Sequence, residues 1–181
     1  MLNKKQFEEA RIKALEYFNK ANIVLTEEEK LNMEVSDFGL GKLEDTGIED
    51  VVYVNTERCC SKEIILFPHQ TCPQHRHPPI GANPGKEETF RCRWGIVYLY
   101  VEGEPTDNPV AKPPKGREKS YTVWHEIILK PGMQYTLHPN TWHWFQGGPE
   151  GAVVSEFSTL SHDELDLFTD EDIKRITVIE K

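Results

Sequence analysis

The hydrophobic rhythm of the chain changes once. Phe7, Ala10, Ala14, Phe18 and Ala21 recur at helical spacing on one face, with Lys, Glu and Arg filling the other. Asn3 is followed three residues later by Gln6, a capping-box pair that predicts a helix start. Thr26-Glu27-Glu28-Glu29 repeats the signal and predicts a second, short helix, which Phe38-Gly39-Leu40-Gly41 breaks. From about Val51 the period shortens. Val51–Val54, Glu63–Phe67, Glu87–Trp94, Ile96–Val101, Ser120–Leu129, Gln134–Leu137, Thr141–Phe145 and Ala152–Phe157 read as strands, rich in β-branched and aromatic residues. Pro78-Pro79, Pro84-Gly85, Pro131-Gly132 and Gly147-Gly148-Pro149 punctuate them as turns. Such a series argues for a sandwich or barrel. The expected organisation is an N-terminal helical segment over residues 1–50 packed on a β domain over 51–181. Gly103–Lys119, with its prolines, is a long loop. Ser161-His162-Asp163-Glu164 and Thr169-Asp170-Glu171-Asp172 read as short helix starts with acidic first turns, and residues 176–179 as an edge strand.

At 181 residues the chain is one domain with appendages, and its 38% hydrophobic and 28% charged residues describe a globular protein. A net charge of −9 repels phosphate backbones and anionic membranes, so a nucleic-acid partner is not expected. No apolar run has the length of a membrane span. Met1 to Lys5 open a charged amphipathic stretch rather than a secretory signal, and a cytoplasmic location is expected. Cys59, Cys60, Cys72 and Cys92 include an adjacent pair and no Cys-x-x-Cys, and are expected as reduced thiols.

The chemistry concentrates in two places. His75-x-His77 on an extended segment points two imidazoles to one face. Glu87 and Glu88 follow after a Pro/Gly-rich loop, and His143 returns from a distant strand. Imidazole nitrogens with a carboxylate suit a borderline divalent metal such as Mn, Fe, Co, Ni or Zn. His138 and Glu87 stand as alternative ligands. His69, His125 and His162 read as structural or exposed, and Trp124, Trp142, Trp144, Tyr98 and Phe145 mainly as core.

His75-x-His77, Glu88, and Pro131-Gly132 leading to His143 resemble the two metal-binding motifs of the cupin superfamily. Within it, three runs resemble the D-lyxose isomerases: Gly85-Lys86-Glu87-Glu88-Thr89 with Tyr98–Gly103, Leu137-x-Pro139-x-Thr141-x-His143-x-Phe145, and Ser155–Ser158 with Asp163-Glu164-x-Asp166-x-Phe168-Thr169-Asp170. The resemblance covers roughly residues 50–175. It implies an all-β core in a cupin-type jelly-roll barrel, with N-terminal helices and short C-terminal helices. It further implies His75, His77, Glu88 and His143 as ligands of a divalent metal, typically Mn2+. The implied reaction interconverts D-lyxose and D-xylulose, with D-mannose and D-fructose as a further pair. A homodimer and a free sugar as partner belong to the same expectation.

If Glu88 faces the metal, strand parity turns Lys86 and Phe90 the same way, which makes Lys86 a donor to a sugar oxygen. A carboxylate buried amid apolar neighbours is costly without a function, so Glu156 is the favoured base, ahead of Asp166 and then Glu118. Asp166 is alternatively a ligand for a distal hydroxyl. A ferrous cupin dioxygenase and a non-catalytic sugar-binding cupin are the other readings of the same ligands. Lys112, Lys115, Arg117 and Lys119 on the long loop are the candidate clamp for a phosphorylated sugar, a substrate the resemblance disfavours.

Overall fold

The computed structural model describes residues 2–180. Helix α1 (Lys4–Lys20) starts where the capping box places it: the Asn3 side chain accepts from the Gln6 N–H, and the Gln6 side chain accepts from the Asn3 N–H. It buries Ala10, Ala14, Tyr17 and Phe18. Helix α2 (Glu27–Leu31) begins at a second capping box on Thr26. Both lead into a curled sheet that forms a half-barrel.

The strands are β2 (Glu34–Ser36), β3 (Ile48–Asn55), β4 (Cys60–Leu66), β5 (Thr71–Arg76), β6 (Glu88–Val101), β7 (His125–Leu129), β8 (Gln134–Leu137), β9 (His143–Ser158) and β10 (Leu167–Phe168). They run in the order β10-β5-β9-β4-β3-β2, with β6 pairing β9 along one edge and β7 and β8 along the other. A separate two-residue parallel ladder joins β1 (Leu2–Asn3) to β11 (Ile179–Glu180).

Long strands β6 and β9 are the spine. The sequence pattern divides each of them in two, because Gly95 and the Gly147-Gly148-Pro149 cluster look like turns. Instead the ladder runs through with register shifts at Cys92/Trp94 and Gly95/Val97. Gly95 has φ +74, and an added Cβ would lie 2.1 Å from the Gly151 carbonyl, so this crossing needs a glycine. The Ser120–Leu129 run is strand only from His125. Glu118–Ser120 form a 3-10 turn, and Thr122 and Val123 donate their N–H groups to the Gln74 side chain instead of to a ladder. Of the two C-terminal helix starts, Asp163–Leu165 is a single 3-10 turn. Thr169–Asp172 is a bend whose acids bind Arg117 rather than cap a helix.

Alternation gives the central strands two buried faces. Ile64, Leu66, Val97, Leu99 and Val154 point inward with Phe90, Leu137 and Phe145. Ile65, Phe67 and Val153 point outward against α1. Tyr98, Tyr100 and Trp144 point outward elsewhere, under the Gly103–Lys119 loop. That loop is anchored, since the Ala111 N–H donates to Tyr100 Oη at 2.8 Å and Gln146 donates to the Lys112 carbonyl. No helix among the described residues is long and apolar enough to cross a membrane.

Candidate metal and active site

β5 and β9 pair with His75 opposite His143, and β10 adds Phe168 opposite His75. A bulge between Cys72 and His75 re-aims the end of β5. As a result the rings of His75 and His143 lie 4.2 Å apart, and that of His77 lies 5.0 Å from His75. Each imidazole is fixed through Nδ1. His75 donates to the Pro73 carbonyl at 2.8 Å, His143 to the Thr141 carbonyl at 3.0 Å, and His77 to Asp166 Oδ1 at 2.5 Å. The Nε2 atoms are thereby left for the interior, the orientation that metal-ligating histidines adopt.

Glu88, at the start of β6, completes the group. Its Oε1 is 3.1 Å from both His77 Nε2 and His143 Nε2. Buried His143 Nε2 makes no well-directed hydrogen bond among the described residues. His75, His77 and His143 each offer a nitrogen, all within 4.8 Å of one another. Three buried nitrogens and a carboxylate oxygen converging in this way fit a divalent cation.

Electrostatics differ from one member of the cluster to the next. Burial and then the neighbouring imidazoles hold His75 well below the usual histidine range, so it is neutral and ready to ligate. Burial also opposes a charge on His77, but the Glu88 carboxylate overrides it and pushes His77 up to about 9. Glu88 resists burial in turn: Lys86, His77 and His143 hold its carboxyl well below the usual range.

Lys86 lies beside this cluster. Its Nζ is 2.9 Å from Glu88 Oε2 and 2.9 Å from Glu156 Oε1. Gly85 makes this approach possible, with φ +107 and space for a Cβ blocked at 2.5 Å by the His77 carbonyl. Glu156 sits on β9 between Phe90 of β6 and Lys62 of β4, and its side chain is buried. All seven residues named from the sequence, His75, His77, Glu88, His143, Lys86, Glu156 and Asp166, therefore meet in one region, and all but His143 line one cavity. Cys72 lines it too as a buried thiol, its ionisation suppressed by desolvation.

Other candidates lie elsewhere. His138 and Glu87 are exposed, and Glu118 is on the surface loop. None of Lys112, Lys115, Arg117 and Lys119 lines the cavity: Arg117 pairs with Asp170 at 2.9 Å and Asp172 at 2.7 Å. Trp144 stacks on Tyr100 at 4.1 Å, on the far side of β9 from His143. His77, Asp163 and Asp166 form a second acidic group, but Lys62 at 2.5 Å already neutralises Asp163.

Lys62, Asp163 and Arg175 line the cavity and do not stand out in the sequence. Lys62 had a signal, since it shares the parity of Ile64 and Leu66 on an inward-facing strand. Arg175 had none. It is brought in by a tail that binds Glu34 and Asp163 from far along the chain.

A β half-barrel thus encloses a buried cluster of three histidines and one carboxylate. The model of the D-lyxose isomerase family matches residues 6–181. The chain is 64% identical to a D-lyxose/D-mannose isomerase of Thermosediminibacter oceani, over 99% of each chain. It is 60% identical to a D-lyxose ketol-isomerase of a Thermofilum species, again over 99% of each. Among solved structures, L-ribose isomerase of Acinetobacter sp. DL28 superposes with a TM-score of 0.84 at 18% identity, covering 99% of this chain and 98% of that one, which shows a shared fold. The chain belongs to the D-lyxose isomerase family and is an aldose–ketose isomerase.

Proposed function

We propose that the protein interconverts free D-lyxose and D-xylulose, with D-mannose and D-fructose as a second pair, and that His75, His77, Glu88 and His143 hold a divalent cation, Mn2+ in the first instance. The D-lyxose and D-mannose names of the relatives support the substrate class. A cation bound there supplies Lewis acidity toward the oxygens of the open-chain sugar.

The chain's own residues carry the proton. Glu156 takes the proton from C2 of the aldose and returns it to C1 of the enediol, while the O2 proton moves to O1. Lys86, 2.9 Å from Glu156 Oε1, donates toward the oxygen on which negative charge develops. Asp166 takes no proton from carbon. Its Oδ1 is committed to His77 Nδ1, which makes it the carboxylate that orients a ligand. Burial of the cavity excludes the water that would compete for the enediol.

One observation carries this reading: a single ammonium, that of Lys86, lies 2.9 Å from a candidate ligand carboxylate and 2.9 Å from a second buried carboxylate. The test is to strip the protein of metal, reload it separately with Mn, Fe, Zn or Co, and assay free pentoses and hexoses. Turnover of D-lyxose only after reloading, and its loss in metal-replete Glu156→Gln, is the expected result. Full turnover without metal, or in Glu156→Gln, overturns it.

A further inference from the structure

Lys62 is a lysine in the middle of a barrel strand, only 4% exposed. Burying an ammonium is costly unless it is paired, and an aliphatic residue would fill this inward position more cheaply. Its Nζ lies 2.5 Å from Asp163 Oδ2 and 4.0 Å from Asp50 Oδ2. The other Asp163 oxygen, Oδ1, is 3.6 Å from Lys86 Nζ and accepts from Ser161 Oγ. Lys62 is also the direct cross-strand partner of Glu156, so the two side chains leave the sheet on the same face.

The charges thus alternate along a run of contacts from Lys62 to Asp163 to Lys86 to Glu156, and the strand register sets Glu156 opposite Lys62. The members come from elements as remote as β4, the 3-10 turn at Asp163, the loop before β6, and β9; Asp163 also faces Arg175 at 3.5 Å, and Lys86 also faces Glu88 at 2.9 Å. Burial works against the Lys62 charge, but Glu156 and Asp163 more than offset it and keep the ammonium protonated.

We propose that Lys62 is a positioning residue for the isomerisation: through Asp163 and across the strand pair it fixes Lys86 and Glu156 in the geometry that moves the sugar proton. This rests on the reading of Glu156 as the base and Lys86 as its partner. Lys62 need not touch the reacting carbons. Without it, Asp163 is shared between Lys86 and Arg175 alone, its pull on Lys86 grows, and Lys86 shifts relative to Glu156. A displacement of about 1 Å in such a pair costs on the order of 100-fold in rate.

The experiment uses the full chain, metal-reloaded, with steady-state kinetics on D-lyxose for wild type, Lys62→Met, Lys62→Arg and Asp163→Asn. Metal content and melting temperature are measured alongside. Lys62→Met and Asp163→Asn are expected to lower kcat on the order of 100-fold with KM and metal content held, and the double variant to be no slower than either alone. Lys62→Arg, which keeps the charge, recovers part of kcat. A purely structural lysine would instead lower the melting temperature and leave kcat of the folded protein unchanged, and that result overturns the proposal. Should Lys62→Met not fold, Asp163→Asn breaks the same link from the other side, and unchanged kcat there is equally decisive. Wild-type protein that turns over no sugar overturns the isomerase reading and this one with it; active wild type with unaffected variants overturns this one alone.

Discussion

Asp166 Oδ1 lies 2.5 Å from Nδ1 of His77, and that bond turns the opposite nitrogen of the ring toward Glu88. The carboxylate comes from the chain just before β10, 89 residues after the histidine it orients. Replacing it by Asn keeps the shape and removes the charge. Asp166→Asn is expected to weaken metal affinity by about 10- to 100-fold, measured by chelator competition, while kcat at saturating metal stays near wild type. Loss of kcat at full metal occupancy would move Asp166 into the proton-transfer step.

Lys86 separates two buried carboxylates. Lys86→Met leaves Glu88 and Glu156 facing each other with no ammonium between them. Removing one partner of a buried pair costs about 3–5 kcal/mol. The expected outcome is a clearly lower melting temperature together with loss of turnover. A variant as stable as wild type would mean that the two carboxylates are not both charged.

Gly85 tests how closely the loop before β6 must approach β5. Its φ is +107, and a Cβ would come within 2.5 Å of the His77 carbonyl. Gly85→Ala therefore displaces His77 or Lys86 or both. Lower metal affinity and lower stability should appear together, by calorimetry and metal titration.

Asp50 gives a pH signature outside the metal ligands. Burial, with Glu34 beside it, pushes its carboxyl up to about 7, although Lys62 and Arg175 pull the other way. In the unfolded chain an aspartate ionises near pH 4 (~3.9), so between about pH 4 and 7 the folded state binds more protons at this site. Its contribution to stability is present below that window and is lost as pH rises to 7. Asp50→Asn does not titrate. Its stability relative to wild type should therefore rise from pH 4 to 7 and level off above, as read from urea unfolding at several pH values. A flat difference would show Asp50 ionised throughout.

The parts of this fold that sequence pattern reaches are those set by neighbours along the chain. The Asn3–Gln6 box starts α1, and β8 (Gln134–Leu137) keeps the limits its pattern predicts. Parity places Lys86, Glu88 and Phe90 on one face, and all three line the cavity. Where pattern misleads, a local signal is overruled by distant contacts. Gly147-Gly148-Pro149 looks like a turn that ends a strand, yet β9 continues beyond it: β5 and β6 pair with it as far as Gly147, β4 and β6 take it up again from Ala152, and residues 148–151 bulge between. Asp163 looks like an acid in the first turn of a helix; its partner Lys62 lies 101 residues earlier. Arg175 is one more cation in a charged tail until Glu34, from the other end of the chain, pairs with it beside the cavity. No window of sequence contains such pairs, because loop closure over the intervening chain is settled only by the whole fold.

All of the half-barrel except its edge strand β10 lies in the sequence before Thr159, while Asp163, Asp166, Phe168 and Arg175 follow. During synthesis the sheet can therefore close while the chamber still lacks a wall. Competence would then arrive with the last stretch of chain to emerge, which carries the carboxylate that holds His77 and the acid that pairs with Lys62.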